Sequence, residues 1–308
     1  MEVTFENEVP PICVAAHPKL PNHLALGFID GNIGIYTLNL LKGQLNVVGG
    51  SKLKQAVRNI AFSSDGLFMF SVGENRSLCA YDVVNMKRIR CIGQSHKAKP
   101  VSLSYLPSTS SKGQQISTGS ESGEIRTWDL RSENPLVSTY HDQEENINGF
   151  GLYKSLLLAA STDGTLGAYE LRKRKLLVRS EPLHNELFCV EVGDKYTYVG
   201  SGDGYLEVFN NGEYGNILER ITCKKGKGVD CMKILKTNLI LTASCEEDQL
   251  RLFNLNPYKK VGLLGEHAEG VNDFEVATDK SWACSVGFIR PTVKFWDLNS
   301  VLSVGFSL

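Results

Sequence analysis

Short apolar runs separated by polar turns recur along the whole chain. The clearest example is the run Leu156–Ser161, which is followed by a Thr-Asp-Gly turn at 162–164 and a second apolar run at 165–171. Runs of this length, bounded by glycine and aspartate, are typical of β-strands. They are nearly all apolar instead of alternating, which indicates strands that are covered on both faces. The pattern therefore predicts an all-β protein built from stacked sheets.

An aromatic residue closes the same short phrase seven times, at intervals of 40 to 47 residues. These anchor aromatics are Tyr36, Tyr81, Trp128, Tyr169, Phe209, Phe253 and Trp296. Two of them, Trp128 and Trp296, are followed by aspartate. A turn position precedes each anchor by six residues, and in four of the seven periods a glycine follows it, as in Asp163-Gly164. Glycine at such a turn permits positive φ. A period of this length with four strands is typical of a WD-repeat propeller blade.

Seven periods predict one seven-bladed β-propeller that forms a single domain over residues 1–308. Only ten residues follow Leu298, so the last blade lacks an outer strand of its own. The alternating segment at 2–6 would fill that place and close the ring, because an open sheet edge would otherwise remain. A C-terminal strand at 301–304 is the alternative. The polar interval at 107–115 predicts an enlarged loop in the third period.

Composition argues against several classes of function. The net charge of −1 offers no bulk attraction for nucleic acid. No apolar run is long enough to span a membrane, and the first residues lack the features of a signal peptide. The eight cysteines contain no Cys-x-x-Cys pair, which favours reduced, buried thiols and no metal site. Without a glycine-rich phosphate loop or an activated nucleophile, we expect no cofactor, no catalytic residue and no small-molecule substrate.

Partial sets of histidine, hydroxyl, acidic and aromatic residues recur with the repeat. In this class of propeller such residues form a buried hydrogen-bonded tetrad, so we interpret them as structural and not hydrolytic. The third blade offers His96, Thr118 and Trp128, with Ser122 in the acid position. The seventh offers His267, Ser285 and Trp296, with Arg290 in the acid position. The fourth offers His141 and Asp163, with Ala159 in the hydroxyl position and Tyr169 in the aromatic position.

Lysine and arginine concentrate in the turns that follow the anchor aromatics. Strand parity places these turns on one face, opposite the links between blades. We call this set the basic rim; its members are Lys87, Arg88, Arg90, Arg131, Arg172, Lys173, Arg174, Lys175, Lys259 and Lys260. A rim of cations on a near-neutral protein predicts a surface for RNA phosphates or for an acidic partner. The alternative is a set of solvated turns that blunt strand ends, since no aromatic residues interleave for base stacking.

A second candidate surface lies in the seventh blade, where Phe288, Ile289, Arg290 and Pro291 replace the expected Asp-Gly turn. An exposed pair formed by Phe288 and Ile289 would be an anchor for a partner. The alternative is that both side chains fold back on the blade.

Four phrases are more specific than the repeat. They are Thr-Asp-Gly-Thr-Leu-Gly-Ala-Tyr-Glu-Leu-Arg-Lys-Arg-Lys at 162–175 with Ser-Glu-Pro at 180–182, Gly-Val-Asp-Cys-Met at 228–232, Asn-Pro-Tyr-Lys-Lys-Val-Gly-Leu-Leu-Gly-Glu-His at 256–267, and Val-Lys-Phe-Trp-Asp-Leu at 293–298. In this order they resemble the WD repeat-containing protein 55 family, over residues 15–298. The resemblance implies a nucleolar factor of ribosome biogenesis and pre-ribosomal RNA processing. Family members carry a basic and then acidic tail after the last blade, whereas this sequence stops at Leu308: either the tail was trimmed or this member lacks it.

The propeller pattern and the lack of a catalytic constellation predict a non-enzymatic, monomeric scaffold. The resemblance implies that it lies in the nucleus and nucleolus, with the cytoplasm as the alternative location. Its expected partners are the proteins of a pre-ribosomal assembly. A second hypothesis comes from the Trp-Asp-Leu-Arg phrase that ends at Arg131 and the Tyr-Glu-Leu-Arg phrase that ends at Arg172. They resemble the motif by which some WD-repeat substrate receptors dock on a cullin–RING ligase adaptor.

Overall fold

The computed structural model describes residues 1–4, 9–39, 42–107 and 115–303. Most of the enlarged loop expected at 107–115 lies outside these ranges. The strands of the first four blades are β2 (Pro11–Ala16), β3 (His23–Phe28), β4 (Asn32–Asn39), β5 (Gln44–Lys52), β6 (Val57–Phe62), β7 (Phe68–Gly73), β8 (Leu78–Asp82), β9 (Lys87–Ile92), β10 (Pro100–Leu106), β11 (Gln115–Ser120), β12 (Ile125–Asp129), β13 (Leu136–Tyr140), β14 (Ile147–Tyr153), β15 (Leu156–Ser161), β16 (Leu166–Glu170) and β17 (Lys175–Arg179).

The remaining elements are β18 (Leu187–Val192), β19 (Tyr196–Ser201), β20 (Tyr205–Asn210), β21 (Glu219–Thr222), β22 (Cys231–Lys236), β23 (Leu239–Ala243), β24 (Gln249–Leu255), β25 (Tyr258–Glu266), β26 (Val271–Val276), β27 (Trp282–Gly287), β28 (Thr292–Asp297), the N-terminal β1 (Glu2–Thr4) and the helix α1 (Asn299–Ser303). Over the described residues, no helix is long and apolar enough to cross a membrane.

The strands form seven antiparallel sheets of four strands each. In the first six sheets, four consecutive strands run from an innermost to an outermost position. The seventh sheet has the order β26, β27, β28 and then β1, so the first strand of the chain completes the last blade. Innermost strands of neighbouring blades contact one another around the ring, including β26 with β2. The predicted seven-bladed propeller with closure by the N-terminal strand is confirmed.

All seven anchor aromatics lie on third strands and pack against the preceding blade. Trp128 of the third blade lies in one cluster with Phe70 and Leu78 of the second. Tyr36 of the first blade packs with Trp282 of the seventh, so the same contact closes the ring. Burying an aromatic side chain contributes about 4–6 kcal/mol as an upper bound, from roughly 150–250 Å² at about 25 cal/mol per Å². The anchors therefore hold neighbouring blades together.

Two faces of the ring follow from the strand order. The links between blades share one face with the turns between second and third strands, and we call it the linker face. On this face the backbone N–H of Ile29 donates to the carbonyl of Pro10 over 3.2 Å. The turns between first and second strands and those between third and fourth strands form the opposite face, which we call the hairpin face. On it the backbone N–H of Val83 donates to the carbonyl of Leu67 over 3.0 Å. Both hydrogen bonds recur in other blades, so each turn residue has matched positions around the ring.

The four glycines predicted in turns all have positive φ, at Gly31, Gly123, Gly164 and Gly204. At Gly204 (φ +86°) a Cβ atom would collide with the backbone carbonyl of Lys224, so the turn needs glycine both for its dihedral angle and for space.

The seam between the last and first blades contains hydrogen bonds between residues from opposite ends of the chain. The side-chain amide of Asn272 donates to the carbonyl of Ile12 over 2.5 Å, and the indole of Trp282 donates to the carbonyl of Pro21 over 3.0 Å. Hydrogen bonds as well as apolar packing therefore hold the seam together.

β1 adds a latch to this seam. Glu2 faces Lys294 in the ladder and its carboxylate lies 3.3 Å from the lysine amine. The terminal amine of Met1 donates to the carbonyl of Phe295 over 2.9 Å, and Val3 packs into the core between the last and first blades. The alternative C-terminal strand is wrong over its described residues, because 301–303 belong to the helix α1.

We predict that deletion of residues 1–8 lowers the melting temperature by several degrees or causes aggregation, because β28 loses its ladder partner. Thermal unfolding and size-exclusion chromatography measure both effects. The control is Glu2→Ala, which removes only a surface ion pair worth at most about 1 kcal/mol. A deletion variant that stays monodisperse and melts with its parent would contradict the latch.

Candidate interaction sites

The tetrad of the third blade is complete and lies in the protein interior. The indole N–H of Trp128 donates to the Thr118 hydroxyl over 2.8 Å, and this hydroxyl lies 2.7 Å from Nε2 of His96. On its other side, Nδ1 of His96 lies 2.6 Å from Glu124, which also accepts a hydrogen bond from Arg126 over 2.8 Å. The three hydrogen bonds that link Trp128, Thr118, His96 and Glu124 each have one donor and one acceptor if His96 is neutral and donates from Nδ1.

The protonation of this network follows from its burial. Burial lowers the pKa of His96 to about 4, against the opposing influence of Glu124. Burial alone would raise the pKa of Glu124, but hydrogen bonds from Arg126 and His96 outweigh it and lower that pKa. The native pair is therefore a neutral imidazole that donates to a carboxylate, which is a structural arrangement with no accessible nucleophile.

The predicted acid position was wrong in both tryptophan blades. The fourth member of each tetrad stands four residues before the anchor, not six. It is Glu124 instead of Ser122 in the third blade, and Thr292 instead of Arg290 in the seventh. Arg290 instead forms an exposed ion pair with Glu269, 2.8 Å long.

The seventh blade repeats the network with hydroxyls. The indole of Trp296 donates to Ser285 over 2.9 Å, Ser285 lies 2.9 Å from Nδ1 of His267, and Nε2 of His267 lies 2.8 Å from Thr292. Burial lowers the pKa of His267 to about 4.

In the fourth blade the predicted histidine was wrong. His141 is exposed, and Gln143 occupies the tetrad position, where it accepts a hydrogen bond from Tyr169 over 3.1 Å and donates to Thr165 over 3.1 Å. Asp163 caps its own turn by accepting from the Thr165 hydroxyl over 2.6 Å. The signal that would have found Gln143 is spacing: His96, His267 and Gln143 all stand four residues before an innermost strand.

The structure places the basic rim on the hairpin face. Lys87, Lys175 and Lys259 occupy matched positions, each opposite the residue that follows the anchor of its own blade. Nine members are exposed; they are Lys87, Arg88, Arg131, Arg172, Lys173, Arg174, Lys175, Lys259 and Lys260. These nine side chains are therefore exposed to solvent on the hairpin face.

Arg90 differs from the other members. Its half-buried guanidinium donates to the carbonyls of Leu130, Ser132 and Glu133 over 2.5–2.9 Å. These acceptors belong to the next blade, so Arg90 links two blades through three of its five N–H donors.

The two arginines of the adaptor hypothesis occupy matched positions in adjacent blades. Arg131 forms an ion pair with Asp129 over 2.7 Å, and its hydrogen bonds are the main cause of the lowered pKa of that carboxylate. The backbone N–H of Arg172 donates to the Glu170 carboxylate over 3.3 Å, while its side chain is exposed.

Phe288 and Ile289 are exposed on the linker face, with 50% and 64% of their surface accessible. Ile29, at the position of the first blade that matches Phe288, is 52% exposed. Sequence reasoning missed Ile29, although it stands directly before the turn residue Asp30.

The seven innermost strands enclose a central cavity of about 410 Å³. Lys233 lies 3.2 Å from Glu275 on its wall, and burial raises the pKa of the neighbouring Asp273 to about 7. Within the described ranges, no group of three or more histidine, cysteine, aspartate or glutamate side chains is arranged to hold a metal ion.

Comparison with known proteins gives the family. No family model matches the chain. It is 30% identical over 304 residues to WD repeat-containing protein 55 of Rattus norvegicus, an alignment that covers 96% of this chain and 76% of the rat protein. This chain belongs to the WD repeat-containing protein 55 family. The Homo sapiens member is 29% identical over the same length, with the same coverage.

Solved structures agree on the fold of this WD repeat-containing protein 55 relative. A chain of the mitotic checkpoint complex superposes with a TM-score of 0.81 at 16% identity, covering 96% of this chain and 90% of that one. The RRP9 WD40 repeats give a TM-score of 0.81 at 13% identity, covering 94% of each chain. WD-repeat propellers are generally non-enzymatic scaffolds that bind other proteins, and this chain is a WD-repeat propeller.

We predict that His96→Gln weakens the dependence of stability on pH. Between its unfolded pKa of about 6.5 and its native pKa of about 4, wild-type His96 takes up its proton only on unfolding. Its contribution is therefore complete above about pH 6.5 and lost on acidification, by up to about 3 kcal/mol. Glutamine keeps a donor and an acceptor, as Gln143 does in the fourth blade.

Thermal melts of both proteins from about pH 7 to about pH 4.5 measure this slope. His184→Gln, a change on an exposed side chain, is the control and should retain the slope of the parent. Equal losses on acidification in the parent and in His96→Gln would contradict the assignment of a neutral native histidine.

Proposed function

We propose that this protein is a non-enzymatic scaffold of a pre-ribosomal assembly, acting in ribosome biogenesis and pre-ribosomal RNA processing in the nucleolus. The observation that carries the proposal is membership of the WD repeat-containing protein 55 family over 96% of the chain. The four family phrases support it, because the resemblance that they carry implies this process. Two exposed surfaces, the basic rim and the residues Phe288 and Ile289, are the proposed contacts with partners.

Affinity purification of the tagged full chain, with quantitative mass spectrometry, tests the proposal. We expect ribosomal proteins and assembly factors to be enriched, and depletion of the protein to cause unprocessed ribosomal RNA precursors to accumulate. Recovery of neither class of protein, together with normal precursor levels after depletion, would refute the proposal.

The same purification addresses the adaptor hypothesis, which rests on Arg131 and Arg172. A cullin–RING adaptor that co-purifies with the parent but not with the double variant Arg131→Glu and Arg172→Glu would identify a ligase substrate receptor instead. Exposed turn charges contribute little to stability, so a folded variant is expected.

We further propose that the basic rim contacts RNA phosphates. The densest part of the rim is the turn of the fourth blade, where all four cations are exposed. Cations that bind phosphates displace condensed counterions, so affinity should fall as salt rises, with a log–log slope of about −0.7 per single-strand contact.

The triple variant Arg172→Ala, Lys173→Ala and Lys175→Ala should weaken binding of a pre-ribosomal RNA fragment across sequences and flatten this slope by up to about 2. Arg174 is kept, because its φ of 51° makes substitution there a backbone change as well. Fluorescence anisotropy at several salt concentrations measures both quantities.

The matched control replaces three exposed lysines of the linker face, Lys54, Lys97 and Lys225, by alanine. It removes the same charge from the other side of the ring. If both triple variants bind RNA alike, the rim has no special role, and protein contacts alone would carry the scaffold function.

A further inference from the structure

The second blade exposes large aliphatic side chains in both of its turns on the hairpin face. Leu67, in the turn between the first and second strands, is 54% exposed, and Val84, in the turn after the anchor, is 77% exposed. The hydrogen bond from the Val83 N–H to the Leu67 carbonyl, 3.0 Å long, joins the two turns. The two side chains therefore belong to one surface.

The fold does not require an apolar residue at either position. Val84 stands three residues after its anchor, and the matched residues of the other six blades are Asn39, Arg131, Arg172, Gly212, Asn256 and Asn299. In other described turns, the equivalent backbone hydrogen bond is accepted by the carbonyls of Asn22, Ser155, Lys195, Asn238 and Ser281, which therefore match Leu67. Polar residues or glycine thus form the same turns elsewhere in this chain, so the aliphatic side chains of the second blade serve something other than the turn.

The first blade extends this surface. His17 accepts the backbone N–H of Leu20 at Nδ1 over 3.0 Å, and its Nε2 donates to the carbonyl of Gly66 over 3.1 Å. His17 therefore fixes the turn of Leu20, which is 46% exposed, beside the turn of Leu67. We call Leu20, Leu67 and Val84 the apolar patch.

Cations border the apolar patch. Lys19, Lys87 and Arg88 are exposed, and none of them forms an ion pair with a carboxylate among the residues that the structure describes. The acids of the same turns are engaged locally: Asp65 accepts the N–H of Leu67 over 3.0 Å, and Asp82 accepts the N–H of Asn85 over 3.1 Å. Counted over Lys19, Lys87, Arg88, Asp65 and Asp82, these turns carry three cations and two carboxylates, which leaves one positive charge in excess.

We propose that the apolar patch docks a segment of a partner protein in which an aliphatic or aromatic side chain is flanked by aspartate or glutamate. The apolar side chain would be buried on Leu67 and Val84, and its acidic neighbours would meet the bordering cations. Aliphatic side chains offer no platform for base stacking, so this part of the hairpin face favours protein over RNA. The inference rests on the proposed scaffold function and adds the chemistry of one partner.

Selection of a random phage-displayed peptide library on the immobilised full chain tests the proposal, with fluorescence anisotropy of the enriched peptide as the readout. We expect a consensus with an apolar residue between acids. The double variant Leu67→Ser and Val84→Asn should bind that peptide at least about tenfold more weakly. Both replacements are residues that other blades carry at the matched positions, so the variant should melt close to its parent.

The control is Leu177→Asn on the outer strand of the fourth blade, which removes a side chain of similar exposure, 53%, away from the patch. It should leave peptide binding unchanged. A labelled oligouridine serves as a second probe and should bind the parent and the double variant equally.

Three results would overturn the inference: a consensus without acids, peptide binding within twofold in the folded double variant, or loss of oligouridine binding in that variant. None of them bears on co-purification with ribosomal proteins. Failure of the patch and failure of the scaffold proposal are therefore distinguishable.

Discussion

Packing of each third-strand aromatic on the preceding blade is the interaction on which the rest of the structure depends. Each of the seven apolar clusters combines residues of two adjacent blades, so no blade has a core of its own. A blade without a neighbour would expose its anchor and lose about as much free energy as burial of an aromatic contributes. Ring closure is therefore a requirement of this packing, because it gives the first anchor, Tyr36, a preceding blade.

Because the buried packing between blades determines the fold, the residues of the turns can differ between blades. Each turn position occurs several times in the chain with the same backbone hydrogen bond, so the residues at matched positions can be compared directly. A residue that departs from the common type at its position is then a candidate for a role other than forming the turn. Lys87 and Arg90 belong to the same strand, yet the first is exposed and the second is bound to three carbonyls of the next blade. The contacts of a cation, and not its presence in a basic segment, decide whether it can meet a ligand.

Much of the fold could be predicted from the sequence, because the anchors, the turn glycines and the missing outer strand are periodic and local features. The tetrads were predicted only in part. Glu124 and Thr292 differ in chemistry and stand nearer the anchor than the turn acid, so a pattern of one residue type at the turn position contains neither of them. Gln143 was not predicted because a histidine stands two residues earlier, although the spacing to the inner strand favours the glutamine.

The contacts of the surface residues needed the structure. The acceptors of Arg90 come from a different blade, and the apolar patch joins turns that lie far apart in sequence. The periodic sequence pattern predicts neither of these contacts, because both depend on how two neighbouring blades pack together. The exposed state of the rim lysines, by contrast, follows from strand parity and could be predicted from their place after the anchors.

The latch also orders events during synthesis. Glu2 is synthesised 292 residues before Lys294, its partner in the ladder. At about 5–20 residues per second the first strand waits roughly 15–60 s for its sheet. During that time the anchor of the first blade lacks the last blade against which it packs. The nascent chain therefore exposes apolar surface to which chaperones would bind. This exposure ends when the last blade leaves the ribosome and packs against the first.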